Sequence, residues 1–547
     1  MLKTKERTNL FAIFTQKRTM PTDCITFQNS GYFSSLIVDY LNQEKKTQSF
    51  YNRFPKIENF LDQIEEKKNN YSVKNRAVLV NSLLKQNKDF DISETTLNNI
   101  HLLNERNTFT ITTGHQLNLF TGPLYFIYKI VSTINLCLEL KLQYPEYHFV
   151  PIYWMATEDH DFEEINYFKL NKEKLTWSKQ SKGPVGRLST EGLEEMFEKV
   201  KKSLGTSNYA KILTSLFEKS YLEHSNLADA TRYLVNELFK EYGLVILDGD
   251  DGTLKQLFIP AVKEELLQQT AYKKVTETLS SFSYDIQVNP RAINLFYIEE
   301  DLRERIIFEK GNYRINNTNL IFSEVEILEL LETKPENFSP NVILRPLYQE
   351  LILPNLSYVG GGGEIAYWLE LKAMFEAFKI TFPILLLRNS VVIASEKQLK
   401  KANSLQLTWS DLFLKQSELI NKKTKQFSAF TIDFSAQKEH LKKQFEGLLD
   451  IANKTDKTFL RAVKAQETKQ IKGLENLEKR LLKAEKRNHE EKLKRIVDLQ
   501  ETIFPNKSLQ ERQLNFSTFY IEYGEKFIIE LFQKLHPLSN QFNVIVF

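Results

Sequence analysis

The stretch Phe109 to Lys129, FTITTGHQLNLFTGPLYFIYK, decides how the rest of the chain is read. Phe109 to Thr113 is a β-branched and aromatic run that predicts a strand, Gly114 to Thr121 a loop, and Gly122-Pro123 the start of a helix. Proline fits a first helical turn, where its missing N–H costs nothing. A loop carrying a parallel strand into a helix N-terminus offers backbone N–H groups and the positive end of the helix dipole, which suits an anion. His115, Gln116, Asn118 and Thr121 add a proton-transfer group and hydrogen bonds to a bound ligand. The competing reading is an ordinary strand-to-helix connection.

Downstream, His148 to Met155 is an almost unbroken apolar run, as expected of a strand buried on both faces of a parallel sheet. Strand, helix and strand make a βαβ unit. The second strand runs into Ala156-Thr157-Glu158-Asp159-His160-Asp161-Phe162-Glu163-Glu164, which places an acidic cluster at the same carboxyl edge as the 114–121 loop. In open α/β sheets ligands bind at that edge. Asp161 with Glu164 three residues later also has the form of a capping box, the structural alternative for those two residues. A metal site at Glu158, Asp159 and His160 is disfavoured, because neighbouring side chains at a strand end point in different directions; no metal is predicted.

Upstream, residues 1–108 read as polar helices, with Phe33, Leu36, Ile37 and Leu41 on one buried face and Ser93 capping a helix from Asp91 to Asn104. Residues 109–169 form the first half of the core. Residues 170–240 read as an insertion with a Gly-Pro stretch near Gly183 to Gly186 and two helical patterns. Residues 241–274 return to the core with a strand at Gly243 to Leu247, and Asp248 to Gly252 reads as a turn rather than a calcium loop, whose twelve-residue layout is missing. A second insertion, 275–335, carries strand-like runs at Asn294 to Ile298 and Arg305 to Phe308. The second half of the core, 336–394, holds strands at Asn341 to Arg345 and Pro383 to Leu387, with a helix from Pro346 to Leu353 between them. It also holds LSYVGGGGEIAYWLELKAMFEAF from Leu356, in which Gly360 to Gly363 permit close backbone approach to a ligand.

Residues 395–505 are rich in Lys, Glu, Leu and Gln, and Ile471, Leu474, Leu477, Leu481 and Ala484 repeat at three- and four-residue spacing, a coiled-coil seam. Phe427 to Phe434 breaks the pattern and predicts the connection of an antiparallel pair. Between Asn453 and Ile496 fourteen Lys or Arg face seven Asp or Glu, read as a solvated helix face rather than a nucleic-acid surface. Residues 506–547 read as an amphipathic helix and a last strand, Phe542 to Phe547, rejoining the main sheet. The coiled coil is then an arm inserted in one globular body.

Composition narrows the function classes. Over 547 residues, 73 basic and 70 acidic side chains give a net charge of +3, so the whole molecule is no electrostatic trap for nucleic acid. Two cysteines, Cys24 and Cys137, are too few for a disulfide framework and fit a reducing compartment. No apolar run is long enough to span a membrane, and Leu10 to Phe14 is too brief for a secretion signal. A cytoplasmic protein with a large core is expected.

Three blocks, TGHQLNLFTGPLYFIYKI (113–130), PIYWMATEDHDFEEIN (151–166) and RPLYQELILPNLSYVGGGGEIAYWLELK (345–372), followed by an arm, closely resemble the BshC family, the cysteine ligases of bacillithiol biosynthesis. The resemblance spans most of residues 109–395. It implies an α/β fold with a Rossmann-like parallel-sheet core, connecting insertions and a dimerising coiled coil, a core similar to class I aminoacyl-tRNA synthetases and nucleotidyltransferases. The implied activity joins cysteine to the amino group of glucosaminyl malate. Two positions depart from the family pattern, where Gln commonly stands in place of His115 and Gly-Pro-Gly-Glu in place of Gly361-Gly362-Gly363-Glu364.

A ligase must activate a carboxylate, deprotonate an amine and stabilise a tetrahedral intermediate. His115, Glu158, Asp159 and Asp161 are the candidate catalytic residues. Gln116, Asn118, Thr121, Gly122, Tyr125, His160, Gly361, Gly362, Gly363, Glu364, Arg388 and Asn389 are candidates for substrate binding, with Arg388 neutralising malate's carboxylates. No Walker loop is present, so the cosubstrate stays open, ATP or ADP being the candidates. A homodimer through the arm is expected. The alternative from another class is an RNA- or partner-binding scaffold whose functional surface is the basic arm.

Overall fold

The computed structural model describes residues 24–170 and 173–547, so the Leu10 to Phe14 run lies outside the described residues. β1 (Thr108–His115), α1 (Tyr125–Gln143) and β2 (His148–Met155) form the expected βαβ unit. β1 outruns its predicted end because Gly114 and His115 continue the ladder opposite Trp154 and Met155. His115 therefore closes a strand instead of sitting in a loop. α1 starts three residues later than predicted, because Phe120, Thr121 and Gly122 all take positive φ.

Beyond it come β3 (Val245–Asp248), α2 (Gly252–Gln268), β4 (Asn355–Gly360), α3 (Gly362–Leu369) and β5 (Ile384–Leu387). All five strands run parallel in the order β5-β4-β1-β2-β3. This is the α/β, Rossmann-like sheet. Phe109 and Ile111 of β1, Leu136 and Leu140 of α1, Leu356 and Val359 of β4, and Ile384 and Leu386 of β5 share one core with Phe60 and Ile64 from the helix Asn59–Asn70. The strand order reverses between β1 and β4, the place where doubly wound sheets hold ligands at their carboxyl ends.

The connections depart from expectation in several places. Residues 167–242 hold a β-hairpin and three helices, Glu194–Leu204, Asn208–Leu222 and Leu227–Phe239, where two were predicted. The second insertion is an antiparallel sheet of five strands, ending at Phe338–Pro340. Asn341 to Arg345 is not a strand. The Asn341 side chain accepts from the N–H groups of Ile343 and Leu344 at 2.9 and 3.2 Å, and the helix Leu344–Ile352 begins there. In the N-terminal region the buried helix face uses Leu36, Ile37 and Tyr40, with Leu41 only half-buried. The C-terminal helix is broken into Gln510–Gln513, Ser517–Tyr523 and Glu525–Lys534. The last strand, Gln541–Val546, does not rejoin the parallel sheet, but pairs antiparallel with Cys24–Thr26 in a separate one.

The described residues fall into two compact units, the first built on Tyr32–Val392 and Gln510–Ile545, the second on Ile393–Leu509. Within the second, Ser435–Ala452 and the 32-residue helix Lys457–Asn488 form a hairpin, with Lys438 and Glu478 paired at 2.9 Å across it. Its apolar cluster is Phe445, Ala452 and Val463 with Leu441, Leu449 and Leu460, not the predicted seam. Of that seam Leu477 is exposed, and Ile471, Leu474, Leu481 and Ala484 are half-buried. No helix among the described residues is long and apolar enough to cross a membrane.

Candidate active site

The carboxyl ends of β1, β2 and β4 open into a cavity of about 440 Å3, within the range of small-molecule sites. Lys129, in the second turn of α1, stabilises its centre. Its ammonium donates to the Gly114 carbonyl at 2.7 Å and pairs with Glu364 at 2.5 Å. Glu364 also accepts from Tyr358 Oη at 2.6 Å and from the Gly361 N–H at 2.9 Å. Burial pushes the Glu364 carboxyl up, but Lys129 and these hydrogen bonds more than offset that and hold it below its usual range. Glu364 thus fastens the start of α3 to β1 and α1. Gly362 and Gly363 occupy the first helical positions, whose N–H groups have no acceptor within the helix. A Cβ on Gly363 would meet nothing within 4 Å, so packing does not dictate glycine there.

One wall is cationic. Arg345 lies over the rings of Tyr358 and Trp154, and its Nη2 donates to Tyr367 Oη at 3.1 Å. Arg388 is 4% exposed and paired with Glu511 at 2.7 Å, so its charge is compensated, yet its buried Nε has no partner. Arg303 stacks on Phe296 at 3.9 Å and also keeps an unpartnered buried Nε. With Lys129 and Arg512, five cations line the cavity against three carboxylates, Glu158, Asp159 and Glu364. Between them lies His115. Burial first, then Lys129 and Arg388, keep its imidazole well below its usual pKa, so it is neutral and offers an unpartnered Nε2.

The other wall is acidic. Asp159 accepts from Gln116 Nε2 at 2.9 Å and from the His160 N–H at 2.8 Å. Burial opposes ionisation, but the hydrogen bonds from His160 and Gln116 and the charge of Arg303 hold its pKa at about 2. Glu158 is 9% exposed and pairs with Lys255 at 2.5 Å.

Residues 20–389 match the profile of the N-terminal Rossmann-like domain of bacillithiol biosynthesis BshC, and residues 391–547 that of its C-terminal coiled-coil domain. The chain belongs to the BshC family. A relative from Flavobacterium psychrophilum is 63% identical over 96% of this chain and 99% of its own length. One from Flavobacterium johnsoniae is 62% identical over 96% and 100%, and one from Bacillus cytotoxicus 27% identical over 93% and 97%. All three carry the name "Putative cysteine ligase BshC". A solved Campylobacter jejuni structure described as a "putative arginyl t-RNA synthetase" covers 80% of this chain and 97% of that one, but at 10% identity and a TM-score of 0.20 it carries no argument.

In this BshC-family chain the cavity gathers His115, Gln116, Tyr125, Glu158, Asp159, Gly361, Gly362, Gly363, Glu364 and Arg388 from the sequence-predicted set. Six others lie outside its lining. Asp161 and His160 line a separate open groove with Lys179 and Lys182; Asp161 forms no side-chain cap, and the Glu164 carboxylate accepts from the Gln116 amide at 2.9 Å. Asp159, His160 and Asp161 do bring ligand atoms within 4.8 Å of one another, but Glu158 turns away to Lys255. Asn118 donates to the Glu164 carbonyl, and Asn389 is tied to Ser132 and the His536 carbonyl. Thr121 and Gly122 belong to a tight clasp held by Asn515, which donates to the carbonyls of Phe120 and Gly122 at 2.7 and 2.6 Å. The N-terminus of α1 is consequently no anion site. Pro123 has no N–H, and that of Leu124 goes to the Leu514 carbonyl at 2.7 Å.

Gly122 has φ +62°, and a Cβ there would sit 2.5 Å from Asn118 Cβ. Gly122→Ala should therefore cost about 3 kcal/mol or more in chemical denaturation, from strain plus overpacking. Sequence reading missed Lys129, Arg303, Arg345, Tyr358 and Tyr367. Lys129 had a signal, the one charge in the mostly apolar first half of its helix, and Arg345 opened one of the quoted blocks. Arg303 had none, because it arrives from the second insertion.

Proposed function

We propose that the protein is a cysteine-adding ligase, joining the carboxyl group of cysteine to the amino group of glucosaminyl malate. The observation that carries this is the meeting, at the β1/β4 reversal, of a cationic wall with two carboxylates in one cavity. A dicarboxylate is suited to Arg345, Arg303 and the Arg388 Nε, and an ammonium group to Asp159, which stays ionised. Glu158 is the candidate acceptor of the amine proton, and neutral His115 a hydrogen-bonding group rather than a cation. Joining a carboxylate to an amine needs activation, for which ATP or ADP is proposed as cosubstrate. The N–H groups of Gly362 and Gly363 suit its phosphates or the developing oxyanion. Incubation of the purified chain with cysteine, glucosaminyl malate and each nucleotide in turn, followed by mass spectrometry, should yield the amide. The absence of product in every combination, together with no binding of glucosaminyl malate by calorimetry, would overturn the reading.

The same reading places the protein in the cytoplasm, where Cys24 and Cys137, neither in a disulfide, stay reduced. A homodimer through the arm is part of it. Leu448, Ile451, Phe459 and Leu477 of the hairpin are 45–57% exposed, apolar surface that a second copy can cover. Light scattering on a chain lacking residues 400–500 should report a monomer. A persisting dimer places the contact elsewhere.

A further inference from the structure

Behind the acidic wall lies a chain of buried charges that the ligation reading does not use. Lys255, on α2, is 2% exposed and does not line the cavity. Its ammonium donates to Glu158 Oε1 at 2.5 Å, to the Glu336 carbonyl at 3.1 Å and to Asp250 Oδ1 at 3.5 Å. Asp250 is gripped from its other side by Arg187, whose Nε and Nη2 reach its two oxygens at 2.9 and 3.0 Å. Asp248 accepts from the Thr157 hydroxyl, one residue before Glu158. The Gly-Pro stretch singled out in the sequence closes the arrangement. The N–H groups of Val185 and Gly186 donate to the carbonyls of Asp159 and Thr157 at 2.7 and 2.8 Å, and a Cβ on Gly186 would sit 2.6 Å from Thr157 Cβ. The turn at 157–159 is thus clamped by backbone contacts from one insertion, and Glu158 is aimed by a cation from α2.

We propose that Lys255 is a positioning residue that keeps the Glu158 carboxylate ionised and fixed in place at the cavity lining, with Asp250 and Arg187 fixing Lys255 in turn. Glu158 is then the group that takes the proton from the substrate's ammonium, leaving the lone pair on nitrogen for attack, while Asp159 holds the ammonium in place. The division follows from the neighbours. Asp159 is stabilised as an anion by the Gln116 and His160 hydrogen bonds and the charge of Arg303 and is a poor base, whereas Glu158 is buried and has the single cation Lys255 paired with it. Burial pushes the Glu158 carboxyl up and Lys255 pulls it only partly back, so it stays above its usual range. The other charged or titratable groups facing it are Asp250, Arg187, Arg303 and Tyr348.

The assignment of the proton rests on the ligation reading, but the hold of Lys255 on Glu158 is measured without substrate. Infrared difference spectra of the full chain across pH, with the Glu158 band assigned by its loss in Glu158→Gln, give the protonation midpoint. Lys255→Met leaves the buried carboxylate without its cation, so the midpoint should rise by at least about one pH unit, tenfold in proton affinity. Arg187→Gln, a half-buried and more tolerant site, should move it the same way by less. Unmoved midpoints in folded variants overturn the proposal. In turnover, the acid limb of kcat/KM for Lys255→Met should shift upward with the midpoint, with activity recovering at high pH, which a merely structural role would not produce. A shifted midpoint with an unshifted limb would overturn Glu158 as proton acceptor, and with it that part of the ligation reading, while leaving the hold of Lys255 on Glu158 supported.

Discussion

Asp159→Asn is expected to lower kcat/KM for amide formation by about 10²- to 10³-fold, since truncating one partner of a buried charge pair typically costs about 2–5 kcal/mol. The loss should appear first in KM for the amine substrate, because a carboxylate held at about pKa 2 binds an ammonium and does not take its proton. Stability should respond differently. The folded pKa lies below the ordinary 3.8, so ionised Asp159 contributes stability that is present above about pH 4 and is lost as pH falls through 2. The shift corresponds to about 2 kcal/mol at neutral pH. The variant should therefore melt a few degrees below wild type at pH 7, with the gap closing as pH falls from about 4 towards 2. Normal turnover by Asp159→Asn would remove the residue from the site.

Which parts of this arrangement the sequence disclosed follows from what each signal encodes. β2 was legible because a strand buried on both faces is apolar almost throughout, and β1 because its β-branched and aromatic residues suit a strand. The convergence of His115, Glu158, Asp159 and Gly361–Glu364 was legible because parallel strands bring their carboxyl ends to one edge. Asn341 to Arg345 misled because its apolar run fits a strand, while the deciding feature, an Asn side chain capping two N–H groups, has no periodicity. Asn118 and Asn389 misled in another way. Polar residues near a strand end look like ligand contacts, but burial there favours hydrogen bonds within the protein, and their amides donate to the carbonyls of Glu164 and His536. Strand character at the C-terminus was readable and its partner was not, because an apolar strand specifies burial and leaves open which sheet receives it. Arg388 lines the cavity, but nothing local to it announces its pairing with Glu511, more than a hundred residues later.

Glu511 carries the other large expectation. Its carboxylate is fully buried, pairs with Arg388 Nη2 at 2.7 Å and accepts from the Val391 N–H at 3.2 Å. Glu511→Ala strands a guanidinium that is 4% exposed, and breaking such a pair from one side costs about 3–5 kcal/mol. Denaturant unfolding should show that loss, and ligation should fall further than stability alone explains, because Arg388 loses the contact that turns its Nε toward Gly361 and the cavity. Replacing both partners separates the two effects. Glu511→Leu with Arg388→Met removes the buried charges together, so most of the stability should return, as apolar replacement of buried pairs commonly allows. Turnover should not return with it, since the unpartnered Nε proposed to bind the substrate's carboxylate is gone. A double variant that recovers both would mean that the pair serves the fold alone and that the anionic group of the substrate is held by Arg345 and Arg303.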